Sequence, residues 1–328
     1  MAKYKGIQGY SVQKLSSDPT ANDGSAGQLW YNSTTGKFKI NTSSAGAWAS
    51  GGALNTGRFA CGGSGIQTAG LTYGGNINPG YQVITEEYDG STWTETGDLN
   101  SGREDITGFG TSTATIASGG VPSPLAITES FNGTAWTEVA DLNTGRIGAG
   151  AAGITTAGII TGGQAPPPST KLTATETWDG TSWTETGDAL NTGRVYVRCA
   201  GKGTTTATLA FGGYTTGPTG IDNTESYNGS TWTEVNDLNN ATTRAGAAGT
   251  QTSALSFGGD YLPTGKTEKW DGTSWTEVAA MAKSPAIYDM AYCGTSSLAL
   301  SAGGRTPLTT ATEEWTDPVY SIKTVTVS

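Results

Sequence analysis

The sequence predicts an all-β fold, a β-propeller of six blades with four antiparallel strands each, and three observations carry that prediction. A Gly-Gly pair closes a short apolar run six times, beginning at Gly74, Gly119, Gly162, Gly212, Gly258 and Gly303, with spacings of 45, 43, 50, 46 and 45 residues. After each pair a loop leads to Thr-Glu and an aromatic residue, and in five copies Asp-Gly or Asn-Gly and a tryptophan follow, as in YDGSTWTE. Each tryptophan strand then runs into a short loop, and arginine stands in most of these. A period of this length holding four short strands fits propeller blades.

Residues 1–47 do not repeat. GQLWYNSTTGKFKI, from Gly27, reads as a hairpin around a Ser-Thr-Thr-Gly turn, so 1–47 is expected to be an attachment segment and 48–328 the propeller. Trp48 precedes Arg58 by ten residues, the spacing of Trp93 to Arg103. The segment around Trp48 therefore reads as the outer strand of a blade whose inner strands lie at the C-terminal end, a closure that removes an open edge. A competing closure uses Tyr320 to Val327 as that strand. Within each blade, stretches such as IGAGAAGITTAGIITGG, from Ile147, are too rich in glycine to propagate a helix and read as two buried strands. The Asp-Gly and Asn-Gly pairs signal tight type I′ hairpins, with positive φ at both central positions.

Trp93, Trp136, Trp183, Trp232 and Trp275 are expected at equivalent outer-strand positions, packed between neighbouring sheets. Arg58, Arg103, Arg146, Arg194 and Arg244 each enter an innermost strand and are expected to ring the channel mouth, with Lys283 the nearest basic residue in the remaining blade. Glu86, Glu129, Glu176, Glu225, Glu268 and Glu313 begin the third strands at the same end. Repetition favours structural ion pairs there over an anion trap for acidic polysaccharide, because partly buried charges need partners.

The order of Arg, two small-residue strands ending in Gly-Gly, an aromatic after Glu, then Trp resembles the kelch repeat, which implies a kelch-type β-propeller from about Trp48 onward. The sixth copy departs from it: Trp315 is followed by TDPVYSIKTVTVS, with no Asp-Gly turn. Galactose oxidase shares the kelch architecture, but its copper site needs histidines and this chain has none. Sialidase Asp-boxes have a different spacing. The stretch DPTANDGSAGQLWYNSTTGKFKI is similar to a segment of structural and tail-fibre proteins of tailed bacteriophages.

Absence of histidine also removes the commonest general base and imidazole zinc sites, and a formal charge of −10 disfavours nucleic acid. Three cysteines, Cys61, Cys199 and Cys293, are too few for a disulfide framework and read as free and buried. No catalytic site, cofactor, metal or membrane insertion is expected, and the opening residues carry no apolar run of signal-peptide length. What varies between copies is the loop after Gly-Gly, which holds nine of the twelve prolines. Tyr81, Pro166, Pro167, Pro168, Tyr214 and Tyr261 in these loops are the candidate ligand-binding residues. The reading is a virion structural protein of a tailed phage, in a tail fibre or other surface appendage. It is expected to bind other virion proteins through its N-terminal segment and a host-surface polysaccharide or receptor through the loops, after synthesis in the host cytoplasm. A cellular kelch-type interaction module and a secreted carbohydrate-active propeller enzyme are the alternatives.

Overall fold

The structure is a computed structural model that describes residues 12–122, 125–166, 170–201, 205–216, 219–259, 265–282, 289–305 and 307–326. The chain divides into two compact units, Met1–Gly46 with Asp317–Ser328, and Ala47–Thr316. Among the described residues there are seven four-stranded sheets, one more than the six repeats predict.

The additional sheet belongs to the first unit and corrects the expected N-terminal hairpin. Leu29–Asn32 and Lys37–Ser43 do form that hairpin, but Gln13–Leu15 adds in parallel on one side and Tyr320–Thr324 antiparallel on the other. Trp30 is buried beneath it, and its indole N–H and the Asn32 amide both donate to Asp18 Oδ1, at 2.9 and 2.6 Å. The first unit thus takes in segments from both ends of the chain. Residues 317–328 leave the repeat unit, because Pro318 supplies no N–H to continue a ladder and the edge they would have occupied is already filled.

Ala47–Ser50 fills it. This strand pairs antiparallel with Thr312–Thr316, setting Trp48 opposite Trp315. Closure through the Trp48 strand is thus the arrangement adopted, and Tyr320–Thr324 pairs elsewhere. The other five repeat sheets are up-and-down meanders, such as Gly62–Ile66, Ala69–Tyr73, Thr85–Tyr88 and Trp93–Glu95. The first strands of all six repeat sheets neighbour one another in cyclic order, from Gly62–Ile66 through Thr107–Thr111, Gly150–Ile154, Arg198–Ala200, Gly246–Thr250 and Ala291–Gly294 back to the first. The unit is a propeller-like array of repeated four-stranded antiparallel sheets.

Tryptophan stitches each sheet to the one before it. Trp93, Trp136, Trp183, Trp232 and Trp275 are all buried, and Trp48 is equivalent to them. Each indole N–H donates to the threonine that opens the third strand of the preceding sheet: Trp136 to Thr85, Trp183 to Thr128, Trp232 to Thr175, Trp275 to Thr224, Trp48 to Thr267 and Trp93 to Thr312, all at 2.9–3.2 Å. These six bonds run once around and close. The Gly-Gly pairs secure the next contact: Gly74 and Gly75 sit at φ +65° and +96°, and a Cβ on Gly74 would lie 2.7 Å from the Arg103 carbonyl of the following repeat.

The Asp-Gly hairpins differ from the expected type I′ form. Tyr88 pairs with Trp93, so the loop has four residues, and only Gly90 has positive φ. Asp89 Oδ1 accepts the backbone N–H groups of Ser91 and Thr92 at 2.8 and 2.7 Å, an Asx-type turn that needs no left-handed aspartate. Those bonds hold the Asp89 carboxyl down to about 2. A carboxylate whose folded value is depressed stabilises the fold above its unfolded value and loses that contribution as pH falls through the folded one. Asn132 and Asn228 make the same turn without a charge. Asp89→Asn is therefore expected to keep stability at pH 7 and flatten its decline between about pH 4 and pH 2, measured by urea titrations across that range.

Candidate functional site

Four of the five expected arginines form buried ion pairs. Arg103 Nη1 lies 2.9 Å from Glu129, Arg146 Nη2 2.5 Å from Glu176 and Arg194 Nη2 3.1 Å from Glu225, while Arg58 pairs with Glu86, all without exposed side-chain surface beyond 1%. Burial pulls the guanidinium groups of Arg103, Arg146 and Arg194 below their usual value, and the paired glutamates oppose it. Each glutamate is further satisfied by an asparagine three residues before the arginine: Asn100 donates its backbone and side-chain N–H to Glu129 Oε2 at 2.8 and 2.7 Å. These groups are internal, so they hold the loops in place and are not an anion trap.

Arg244 does not join them, which corrects the expected five-membered ring. Thr242 occupies the arginine position of the fifth repeat, since its carbonyl accepts from Gly213 as the Arg103 carbonyl accepts from Gly75. Glu268 there is held instead by Asn239 and Asn240, each through backbone and side-chain N–H. Arg244 stands two residues further on and pairs with Asp289 at 3.0 Å. Lys283 lies outside the described residues, and Glu313 is buried.

The position of Arg244 defines a ring that the sequence pattern hid. Its equivalents are Ala60, Asp105, Gly148, Tyr196 and Asp289, and all six have φ between 54° and 57°. Their backbones are linked around the axis: Ala60 N–H donates to Asp289, Asp105 to Ala60, Gly148 to Asp105, Tyr196 to Gly148 and Asp289 to Arg244, at 2.6–3.4 Å. The side chains meet over this ring. Tyr196 donates its hydroxyl to Asp105 Oδ2 at 2.9 Å, and the Arg244 guanidinium lies 4.0 Å from the Tyr196 ring centre. Burial pushes the Asp105 carboxyl above the usual carboxylate range, opposed by Arg244, and pushes the Tyr196 hydroxyl up as well. Below the mouth, Arg198, Tyr292, Met290, Ile106 and Phe109 line a channel together with many glycine, alanine and other small residues, and the Arg198 guanidinium lies 5.2 Å from the Tyr292 ring.

The variable loops start beside this mouth, through bridges such as Phe59 to Asn76 and Val195 to Tyr214. Tyr81 is exposed, at 42%. Tyr214 is half-buried, its ring centre 5.9 Å from that of Tyr196 and 4.9 Å from Lys171 Nζ. The expected free stacking platform at Tyr214 is thus already engaged. Pro166 is exposed; Pro167, Pro168 and Tyr261 lie outside the described residues.

Cys61, Cys199 and Cys293 are buried thiols outside any disulfide. They sit at three different levels, because the longer fourth repeat displaces Cys199 along its strand relative to Cys61: Cys199 pairs with Ala210, whereas Cys61 precedes the strand that begins at Gly62. Burial pushes the Cys61 and Cys199 thiols up to about 11 and about 12. Both are expected to resist a thiol reagent at pH 8 in the folded protein and to react fully in denaturant, as counted by absorbance of the released chromophore.

The axial residues Asp105, Tyr196 and Asp289 escaped sequence reasoning, which took Arg244 as one more copy of the loop arginine. Their signal was available in the repeat alignment: two residues past the loop position, small, acidic, aromatic and basic residues replace one another while the flanking framework stays fixed. No protein-family model matches the chain, and no curated protein matches it.

Proposed function

We propose that the chain is a six-bladed kelch-type propeller that serves as a virion structural protein of a tailed phage, in a tail fibre or other surface appendage. Its variable-loop face contacts the host envelope, and the unit formed by its N-terminal and C-terminal segments attaches it to neighbouring virion proteins. The observation that carries a binding role is the convergence at one end of the repeat unit: a uniform, internally paired framework leaves its chemical variety to the axial ring and the loops around it. The resemblance of the segment around residues 18–40 to tail-fibre proteins supports the virion setting. The reading invokes recognition without turnover, since the titratable groups at the mouth engage one another.

Purified protein added in excess is expected to compete with virions for adsorption to susceptible cells, scored by free plaque-forming units. Undiminished adsorption at saturating protein would count against a host-binding role and leave attachment between virion proteins as the use of this face.

A further inference from the structure

The axial ring contains an internal control, because six equivalent positions share one backbone conformation. That conformation is left-handed, where a residue with a Cβ is strained relative to glycine. Gly148 is the unstrained choice, yet Asp105, Tyr196, Arg244 and Asp289 occupy four of the other positions at φ 55–57°. The Thr, Glu and Trp columns of the framework each settle on one residue type; this one does not, and Ala60 is its fifth residue with a Cβ. Strain tolerated for side chains that the framework does not need points to a function for them.

Their chemistry limits what they recognise. Asp105 gives one oxygen to Tyr196, and the described residues send no hydrogen bond to its Oδ1. Glu104, Asp105 and Asp289 set three carboxyl groups around the mouth, against the guanidinium groups of Arg198, Arg244 and Arg305. An anionic ligand group meets the carboxylates, a cationic one meets the arginines, and a hydroxyl, which both donates and accepts, suits the mixture. The space lined by Asp105, Tyr196, Arg198, Asp289 and Tyr292 is narrow and admits a group of the size of water or a hydroxymethyl, not a sugar ring. Tyr214 stands beside Tyr196, and Tyr81 is exposed on the loop that bridges to Phe59 through Asn76.

Resting on the reading that this face binds, we infer that the axial mouth is the specificity point for a neutral glycan, taking an exocyclic hydroxyl or hydroxymethyl of a hexopyranose between Asp105 and Arg198, both of which line the narrow space. The ring of that sugar lies outside, over the loops. An anion trap for acidic polysaccharide, the alternative to ion pairing at the loop arginines, has no place here, since those arginines are buried and paired.

The test uses the full chain and saturation-transfer NMR with the methyl α-pyranosides of glucose, galactose and mannose and with methyl α-galacturonate. At least one neutral hexoside is expected to bind, with the uronate about tenfold weaker or silent. Asp105→Ala is expected to weaken the neutral sugar by about tenfold or more, the loss of a hydrogen bond to a charged group, while the thermal midpoint stays within a few degrees. Should that variant not fold, Asp105→Asn serves, with a smaller loss expected. Stronger binding of the uronate, unchanged binding in the Asp105 variants, or binding of none of the four sugars would overturn the inference. Adsorption competition that persists in Asp105→Ala but fails in Tyr81→Ser would overturn the mouth as the site while leaving the binding face standing; failure of the unaltered chain to compete would remove the broader reading.

Discussion

Replacing Trp136 with alanine is expected to lower the free energy of unfolding by about 3–5 kcal/mol, the range for truncating a large buried aromatic. Trp136 is 5% exposed and sits between two sheets, among Leu71 and Tyr73 of one and Ala117 and Phe131 of the next. Its ring centre lies 5.0 Å from those of both Tyr73 and Phe131. Alanine would empty that wedge, and collapse is hindered because the strands on either side are held by their own ladders. The same change strands the Thr85 hydroxyl, whose indole donor is lost. Trp136→Phe separates the two contributions: it keeps much of the volume and removes the N–H, so a loss of about 1 kcal/mol from the bond is expected together with a smaller packing loss. Urea unfolding with an unchanged slope is the measurement, and a Trp136→Ala midpoint equal to that of the parent would contradict the wedge role.

Breaking one buried ion pair is expected to cost a similar amount. Arg103→Thr removes the cation from Glu129 and leaves a carboxylate that has no exposed surface, for which about 3–5 kcal/mol is typical. The protein contains its own remedy. In the fifth repeat Thr242 stands where arginine does elsewhere, and Asn240 donates its backbone and side-chain N–H to Glu268 Oε1 at 3.0 and 2.9 Å. Ser101 occupies the Asn240 position in the second repeat. Ser101→Asn added to Arg103→Thr is therefore expected to recover a substantial part of the loss, and the coupling between the two changes should appear in a double-mutant cycle. If the second change brings no recovery, hydrogen bonding from asparagine is not what replaces the cation.

The framework was legible because repetition multiplies weak signals. A single Asp-Gly or Gly-Gly says little; six in step identify the strands, the Trp interfaces and the Arg–Glu pairs. The strand around Trp48 was legible for the same reason, through its spacing to Arg58. Repetition also misled. It made Arg244 look like one more loop arginine, when a threonine had taken that place and the arginine had moved to the axis. The pairing of Tyr320–Thr324 with Lys37–Ser43 was not legible, since a short polar strand carries no mark of its partner and the two segments lie far apart in sequence. The Asx-type turns were hidden by a motif that serves two loop lengths equally well.

The proposed role puts this propeller-like chain on a virion surface, and immunogold electron microscopy of purified particles, with an antibody raised against the full chain, decides whether it is there. Gold is expected to cluster on a tail fibre or other external appendage; intact particles free of gold, with the antigen confined to the infected cell, would rule the proposed role out.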